Sequence, residues 1–389
     1  MNHKNPEFGV NMTMKNVLLA ASFAYLWFSL PLTANPECLY DASHDFAYNC
    51  TKEYPENLPR SERDPAKPFP AKYLFGFPIA SPIGIPACAI MTSNGISWAA
   101  NAGYDVLTYK TVRSRQFNGH PLPNIFLLES PENPLIGSSD KVTTMPQDTI
   151  FEADQITMAN SMGIPSLSLE WVLQDIAKAR VSLLSGQVLI VSIMGSQSDE
   201  RTLEQDFAFL ARAVVDAGAH IVEANLSCPN LHSPLSTYKD HEAVTAITQA
   251  ICMAVPNVPV VLKVGFYDSI EQMKEVFKAA AAANAQGICG INSIASEVFD
   301  VAGNPAFGNT RKIAGVSGNG IRPLAYDFVV QARRIIDEER LNLTLLATGG
   351  VMKPEHFDLF LKAGADIVLS ATGAMWNPNL AIQYHKQKR

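Results

Sequence analysis

The stretch Gln187–Asn230, "QVLIVSIMGSQSDERTLEQDFAFLARAVVDAGAHIVEANLSCPN", decides how the rest of the chain is read. It opens on an unbroken apolar run, 187–193, too short for a helix and rich in β-branched residues. From 204 to 218 the spacing changes to that of a helix, with Phe207, Leu210, Ala211 and Val214 on one face and Gly218 as a stop. A second apolar run, 219–224, follows at once. Strands that are apolar throughout, joined by an amphipathic helix, make a parallel pair buried on both faces. The second run then breaks into Asn225, Ser227, Cys228 and Asn230, more polar chemistry than a turn needs.

The unit recurs. Apolar runs stand at 82–87, 104–109, 187–193, 219–224, 258–264, 286–291, 343–348 and 366–371, with helical spacing between most of them, as in "SIEQMKEVFKAAAAAN" and "PLAYDFVVQARRIIDEE". Eight such repeats predict an α/β fold of the (β/α)8 TIM-barrel type, which needs about 250 residues plus insertions. A doubly wound open sheet is the alternative. One long insertion, roughly 111–168, separates the second and third runs, and a stretch that long over a barrel is usually functional. "GVSGNGIRP" (315–323) reads as a flexible loop leading into a helix.

Totals exclude several classes. Of 389 residues, 47% are apolar and 17% charged, which describes a packed globular protein. A net charge of −7 argues against a nucleic-acid partner, which calls for a basic surface. The cysteines at 38, 50, 88, 228, 252 and 289 include no CxxC pair, and "HEAVT" at His241 lacks a second metal-binding histidine, so no metal centre is expected. Neither a Walker A loop nor GxGxxG occurs.

The N-terminus differs in kind. "MKNVLLAASFAYLWFSLPLTAN" (14–35) has one lysine, an uncharged apolar run and then small residues. It has the shape of a secretory signal cut after Ala34, of a short membrane anchor, or of an apolar segment docked on the body. In an oxidising compartment Cys38 and Cys50 would be free to pair. The chain thus divides into an apolar leader, 1–34, a Pro-rich linker or extension, 35–72, and a barrel, 73–389.

Barrel chemistry sits at the C-terminal ends of the strands. Those ends carry Ala87 and Cys88; Lys110 and Thr111; Asn225, Ser227, Cys228 and Asn230; Lys263; Asn292 and Ser293; Thr348, Gly349 and Gly350; and Ala371, Thr372 and Gly373. "ATGG" after the seventh strand and "SATGA" after the eighth suit a phosphate, because glycines let backbone amides approach an anion. A buried ammonium needs an anion, so Lys110 and Lys263 would serve a reduced flavin and a substrate carboxylate. Each alone would otherwise be an exposed lysine. Asn160, Asn225, Asn230 and Asn292, with Ser293, offer donors and acceptors to a flat ring edged with N–H and C=O groups, a pyrimidine. Singly, each asparagine is an ordinary turn or cap residue. Cys228 is either a packed thiol or, made thiolate by nearby positive charge, a base.

Taken together, these motifs resemble the dihydroorotate dehydrogenase family, and specifically its class 1 members. "NLSCPN" (225–230) looks like that family's active-site loop and "NSMGIPS" (160–166) like its second substrate loop. "YKT" (109–111), "HPLPN" (120–124), "LKV" (262–264), "INSI" (291–294), "GVSGNGIRP", "ATGG" and "SAT" (370–372) match in order, from about residue 73 to the end. The resemblance implies FMN as cofactor and Cys228 as the base that takes a proton from ring carbon 5 of dihydroorotate while hydride leaves ring carbon 6 for the flavin. It implies a substrate set of Lys110, Asn160, Met162, Gly163, Ile164, Asn225, Asn230, Asn292 and Ser293. For the cofactor it implies Ala87, Cys88, Lys110, Thr111, Asn225, Lys263, Ser317, Gly318, Gly349, Gly350, Ala371 and Thr372, with Lys263 by the flavin ring and Ser317, Gly318, Gly349, Gly350 and Thr372 at its phosphate end. A second, unidentified substrate must reoxidise the flavin, and class 1 relatives suggest a homodimer by analogy. The family default is cytoplasmic, whereas the leader suggests membrane association or export. This chain departs from the family at Cys88 and Ala89, where Ser-Gly is usual, at Asn124, where an arginine is usual, and at Ala371, where glycine is usual. A related dihydropyrimidine oxidoreductase and a non-catalytic FMN-binding protein are the alternative readings.

Overall fold

The computed structural model describes residues 39–62, 72–129, 141–145, 152–227 and 237–388. The apolar leader, Cys38, Cys228 and Asn230 lie outside the described residues.

The first two strands, β1 (Lys72–Leu74) and β2 (Phe77–Ile79), form an antiparallel hairpin. Its two-residue turn places Phe75 at φ 51° and Gly76 at φ 87°, the double left-handed geometry that matches strand twist. Then β3 (Ile83–Ile85) and β4 (Val106–Val112) open the barrel. β5 (Ile125–Leu128), β6 (Lys141–Thr143) and β7 (Thr157–Asn160) follow outside it. β8 (Val188–Ile193), β9 (Ile221–Asn225), β10 (Val260–Lys263) and β11 (Gly287–Gly290) continue the barrel wall. β12 (Ile294–Phe299) and β13 (Ile313–Gly318) leave it again, and β14 (Thr344–Thr348) and β15 (Ile367–Leu369) complete it. The wall runs β3-β4-β8-β9-β10-β11-β14-β15 and closes by parallel pairing of β15 with β3. All eight apolar runs read from the sequence supply its strands, and the fold is the expected (β/α)8 barrel.

The helices between the strands carry the predicted faces. In Leu203–Asp216, Phe207, Leu210, Ala211 and Val214 are buried, and Thr202 and Gln205 close a reciprocal capping box at its start. Inside the barrel, Val106, Val188, Ile190, Ile221, Val261, Leu346, Ile367 and Leu369 pack with Leu74 and Ile79 of the hairpin, which plugs the N-terminal end. The helix Phe46–Thr51, within the stretch read as an extension, buries Phe46 and Cys50 in the main core.

Two readings need correction. "GVSGNGIRP" is not a loop throughout: its first four residues end β13, paired with β12 on one side and β7 on the other. Ala314 and Val316 are fully buried there, and pairing on both sides outweighs the glycines' loop preference. β4 likewise runs past Tyr109 to Val112, with a register shift between those two residues, so Lys110 and Thr111 lie within the strand. The 111–168 insertion and the β12–β13 excursion together build a second sheet, β5-β7-β13-β12-β6. Both depart from C-terminal ends of barrel strands, so this sheet roofs the barrel mouth.

Candidate active site

Between the mouth and the roof lies a cavity of about 150 Å³, partly open to solvent. It gathers residues from distant parts of the chain. Ala87 and Cys88 come from the first strand end, Lys110 and Thr111 from β4, Asn225 from β9 and Lys263 from β10. Asn292 and Ser293 follow β11, Gly349 and Gly350 follow β14, and Ala371 and Thr372 follow β15. The roof adds Asn160, Met162, Ile164, Ser317 and Gly318. Gly163 does not line it. At φ 77° it sits against the His120 ring, where a Cβ would come within 2.9 Å.

The amides are held by one another. The Asn292 side-chain N–H donates to the Ser227 carbonyl at 2.9 Å and lies 3.4 Å from Asn225 Oδ1. Asn225 Nδ2 donates to Thr111 Oγ1 at 3.3 Å, and Thr111 meets Ser192 Oγ at 3.2 Å. Asn160 Nδ2 donates to the Gly315 carbonyl at 3.1 Å, tying β7 to β13. Asn292 Oδ1 accepts from the Ser293 N–H at 2.8 Å. Side chains fixed this way present a preset edge to a ligand.

Both predicted lysines reach the cavity. Lys263 is buried, 5% exposed, and its ammonium donates to the Ala87 carbonyl at 3.5 Å. The Lys110 ammonium stands 5.3 Å from the centre of the Phe46 ring, a cation–π contact from the N-terminal helix. Burial pushes the Cys88 thiol up, although the Ile90 amide and the two lysines oppose the shift. Cys88 is therefore a neutral thiol on the wall.

At the other end Ser317 and Thr372 bring their hydroxyls within 3.2 Å of each other beside Gly349 and Gly350. Gly350 has φ 71°, and a Cβ there would fall 2.4 Å from Arg322 Cβ. Only glycine lets the backbone turn there. Hydroxyls and backbone amides at such a turn form a donor set for a phosphate dianion.

The loop around Met162 is pinned from behind. Arg311 donates to the carbonyls of Pro121 at 3.0 Å, Pro123 at 3.3 Å and Ser161 at 3.4 Å. His120 Nδ1 lies 3.1 Å from the Ser161 carbonyl. Ile164 holds φ 55°, a strained value for a β-branched residue, at the cavity wall. Sequence reasoning missed the apolar walls, Ile125, Met158, Val351, Met352 and Met375. Their sequence context is that of ordinary core, so nothing in it marks them.

A sequence model of the dihydroorotate dehydrogenase family matches residues 140–387. A protein named dihydroorotate dehydrogenase from Dictyostelium discoideum is 40% identical over 329 residues, covering 82% of this chain and 89% of that one. The NAD-dependent dihydropyrimidine dehydrogenase subunit PreA of Escherichia coli (strain K12) is 32% identical over 196 residues, 49% of this chain and 45% of that protein. The catalytic subunit of dihydroorotate dehydrogenase B (NAD(+)) from Desulforudis audaxviator is 27% identical over 282 residues, 72% of this chain and 78% of that protein.

Proposed function

The chain belongs to the dihydroorotate dehydrogenase family of oxidoreductases, and on that footing we propose that it oxidises dihydroorotate to orotate with FMN as its cofactor, a step of pyrimidine biosynthesis. The observation that carries the reading is the single cavity at the barrel mouth, where two lysines, three fixed asparagines and a glycine turn with paired hydroxyls converge.

The residues fit FMN. The lining combines a group of lysines and amides with a glycine turn that carries paired hydroxyls. Gly349, Gly350, Ser317, Gly318, Ala371 and Thr372 would hold the phosphate, and Lys263, Thr111, Ala87 and Cys88 would border the ring system. FMN, once bound, supplies the hydride acceptor.

The chain's own residues do the rest. Asn160, Asn225 and Asn292 hold the pyrimidine edge by complementary hydrogen bonds, and Lys110 meets the carboxylate. Positioning of this kind is worth up to about 7–11 kcal/mol of barrel-mouth chemistry that would otherwise be a chance encounter. Cys228 takes the proton from ring carbon 5, and Asn230 completes the substrate set. The hydrogen-bonded segment Asn225–Ser227 leads directly into Cys228. A second substrate returns the enzyme to its oxidised form.

A dihydropyrimidine without a carboxylate is the second reading, favoured by the similarity to PreA. Lys110 speaks for dihydroorotate, because a cation on the cavity wall suits an acid. Replacing the base tests the assignment: Cys228→Ser should keep FMN and slow its reduction by dihydroorotate about 10²–10⁴-fold, the range of general-base catalysis. Unchanged reduction would remove Cys228 from the mechanism.

A further inference from the structure

Beneath the cavity floor the barrel interior carries a carboxylate that the reaction does not use. Ile221 belongs to the interior apolar cluster, so Glu223, two residues on along β9, faces inward as well. It is fully buried, and among the described residues no N–H or O–H group donates to either of its carboxyl oxygens; the Cys289 thiol is its hydrogen-bonding neighbour. By the same alternation Val261 places Lys263 inward on β10. The register sets Lys263 opposite Asn225 on one side and Cys289 on the other, and Glu223 opposite Val261. Glu223 and Lys263 are thus diagonal neighbours on adjacent strands inside the barrel. Cys289, fully buried, senses both: burial first, then the Glu223 charge, pushes its thiol well up, and Lys263 opposes the shift.

A lone carboxylate or a lone ammonium in such an interior is strongly disfavoured. Two opposite charges in one low-dielectric layer offset each other, because little screening lies between them. Lys263 reaches the cavity, whereas Glu223 stays below it. We propose that Glu223 is a positioning residue that acts through Lys263 as its internal counter-charge, moderating the positive field the lysine applies to bound FMN. This rests on the FMN reading above. The carboxylate lowers the stabilisation of the reduced, anionic flavin and so holds its midpoint potential down.

The test is a potentiometric titration of the FMN-loaded protein. Glu223→Gln keeps the shape and removes the charge. It should raise the flavin midpoint potential by about 30 mV, a tenfold shift in the two-electron equilibrium. An unchanged or lower potential overturns the proposal while leaving the FMN reading intact. Failure of the protein to bind FMN at all overturns both. A second measurement needs no flavin. Lys263→Gln strands the carboxylate and should lower the denaturation midpoint of the apoprotein, and adding Glu223→Gln to that variant should restore it. A double variant no more stable than Lys263→Gln alone contradicts the pairing.

Discussion

Asn292 and Ser227, on loops after β11 and β9, are joined by a 2.9 Å hydrogen bond from the asparagine amide to the serine carbonyl. Ser227 in turn donates to the Lys263 carbonyl at 3.2 Å. Three barrel strands therefore lock the segment that runs into Cys228. The base proposed at Cys228 is useful only if its approach is fixed, since a misplacement of about 1 Å can cost about 10²-fold in rate. Asn292→Ala should accordingly lower the rate of flavin reduction by about that factor, with FMN content unchanged. Stopped-flow reduction alongside the flavin absorbance of the purified variant reads both.

The turn at Gly350 makes a sharper prediction about the cofactor. An alanine Cβ would meet Arg322 Cβ at 2.4 Å and the Arg322 Cα at 2.7 Å, on a φ of 71°. Backbone atoms cannot yield as a side-chain tip can. Gly350→Ala should displace the phosphate end, so the variant purifies with little FMN and binds added FMN at least about tenfold more weakly, about 1.4 kcal/mol. Fluorescence quenching of FMN titrated with apoprotein measures it.

Ile164 tests whether strain is stored at the loop on the cavity wall. A β-branched residue at positive φ costs about 1–3 kcal/mol. Truncation to glycine relieves that cost but forfeits about 1.5–3 kcal/mol of burial and adds about 0.5–1 kcal/mol of chain entropy. The two sides nearly cancel, so Ile164→Gly should change stability by under about 2 kcal/mol in urea denaturation. Its KM for dihydroorotate should rise, because the loop's shape is no longer enforced.

Two histidines set an acid limit. Burial lowers His356 and His220 from the ordinary 6.5 to about 4, with nearby arginine or lysine adding to the effect. In each, Nδ1 accepts a backbone N–H, from Met352 at 3.1 Å and from Leu189 at 3.0 Å. Protonation removes that acceptor. The unfolded chain binds protons below pH 6.5 that the folded chain refuses until about 4, so stability falls as pH drops through this window. Denaturation midpoints from pH 7 to pH 4 should decline, and His356→Gln should flatten the decline.

The barrel was legible because its strands are buried on both faces, and continuous apolar runs such as "VLIVSI" have no other common use. Polar residues at their ends were legible for the same reason: Lys263 or Asn292 has no place in a core without a ligand or partner. The roof was not legible. β6 has three residues and β13 begins with an exposed Ile313 and carries two glycines, so neither shows a period. The plug hairpin hid in "KYLFGFPI" for a similar reason, with two strands of three residues. Met158, Met352 and Met375 are apolar in an apolar context, and only the folded chain separates cavity wall from core. The strain at Ile164 is likewise invisible, because a positive φ on isoleucine runs against its own preference.

The most direct measurement is anaerobic mixing of the purified, FMN-loaded protein with saturating dihydroorotate, followed at the flavin absorption band, with dihydrouracil in parallel. Rapid bleaching by dihydroorotate with one orotate released per flavin, and little or none by dihydrouracil, is the result expected of a cavity that places Lys110 for a carboxylate. A flavin that stays oxidised with dihydroorotate, or is bleached faster by dihydrouracil, would contradict the account.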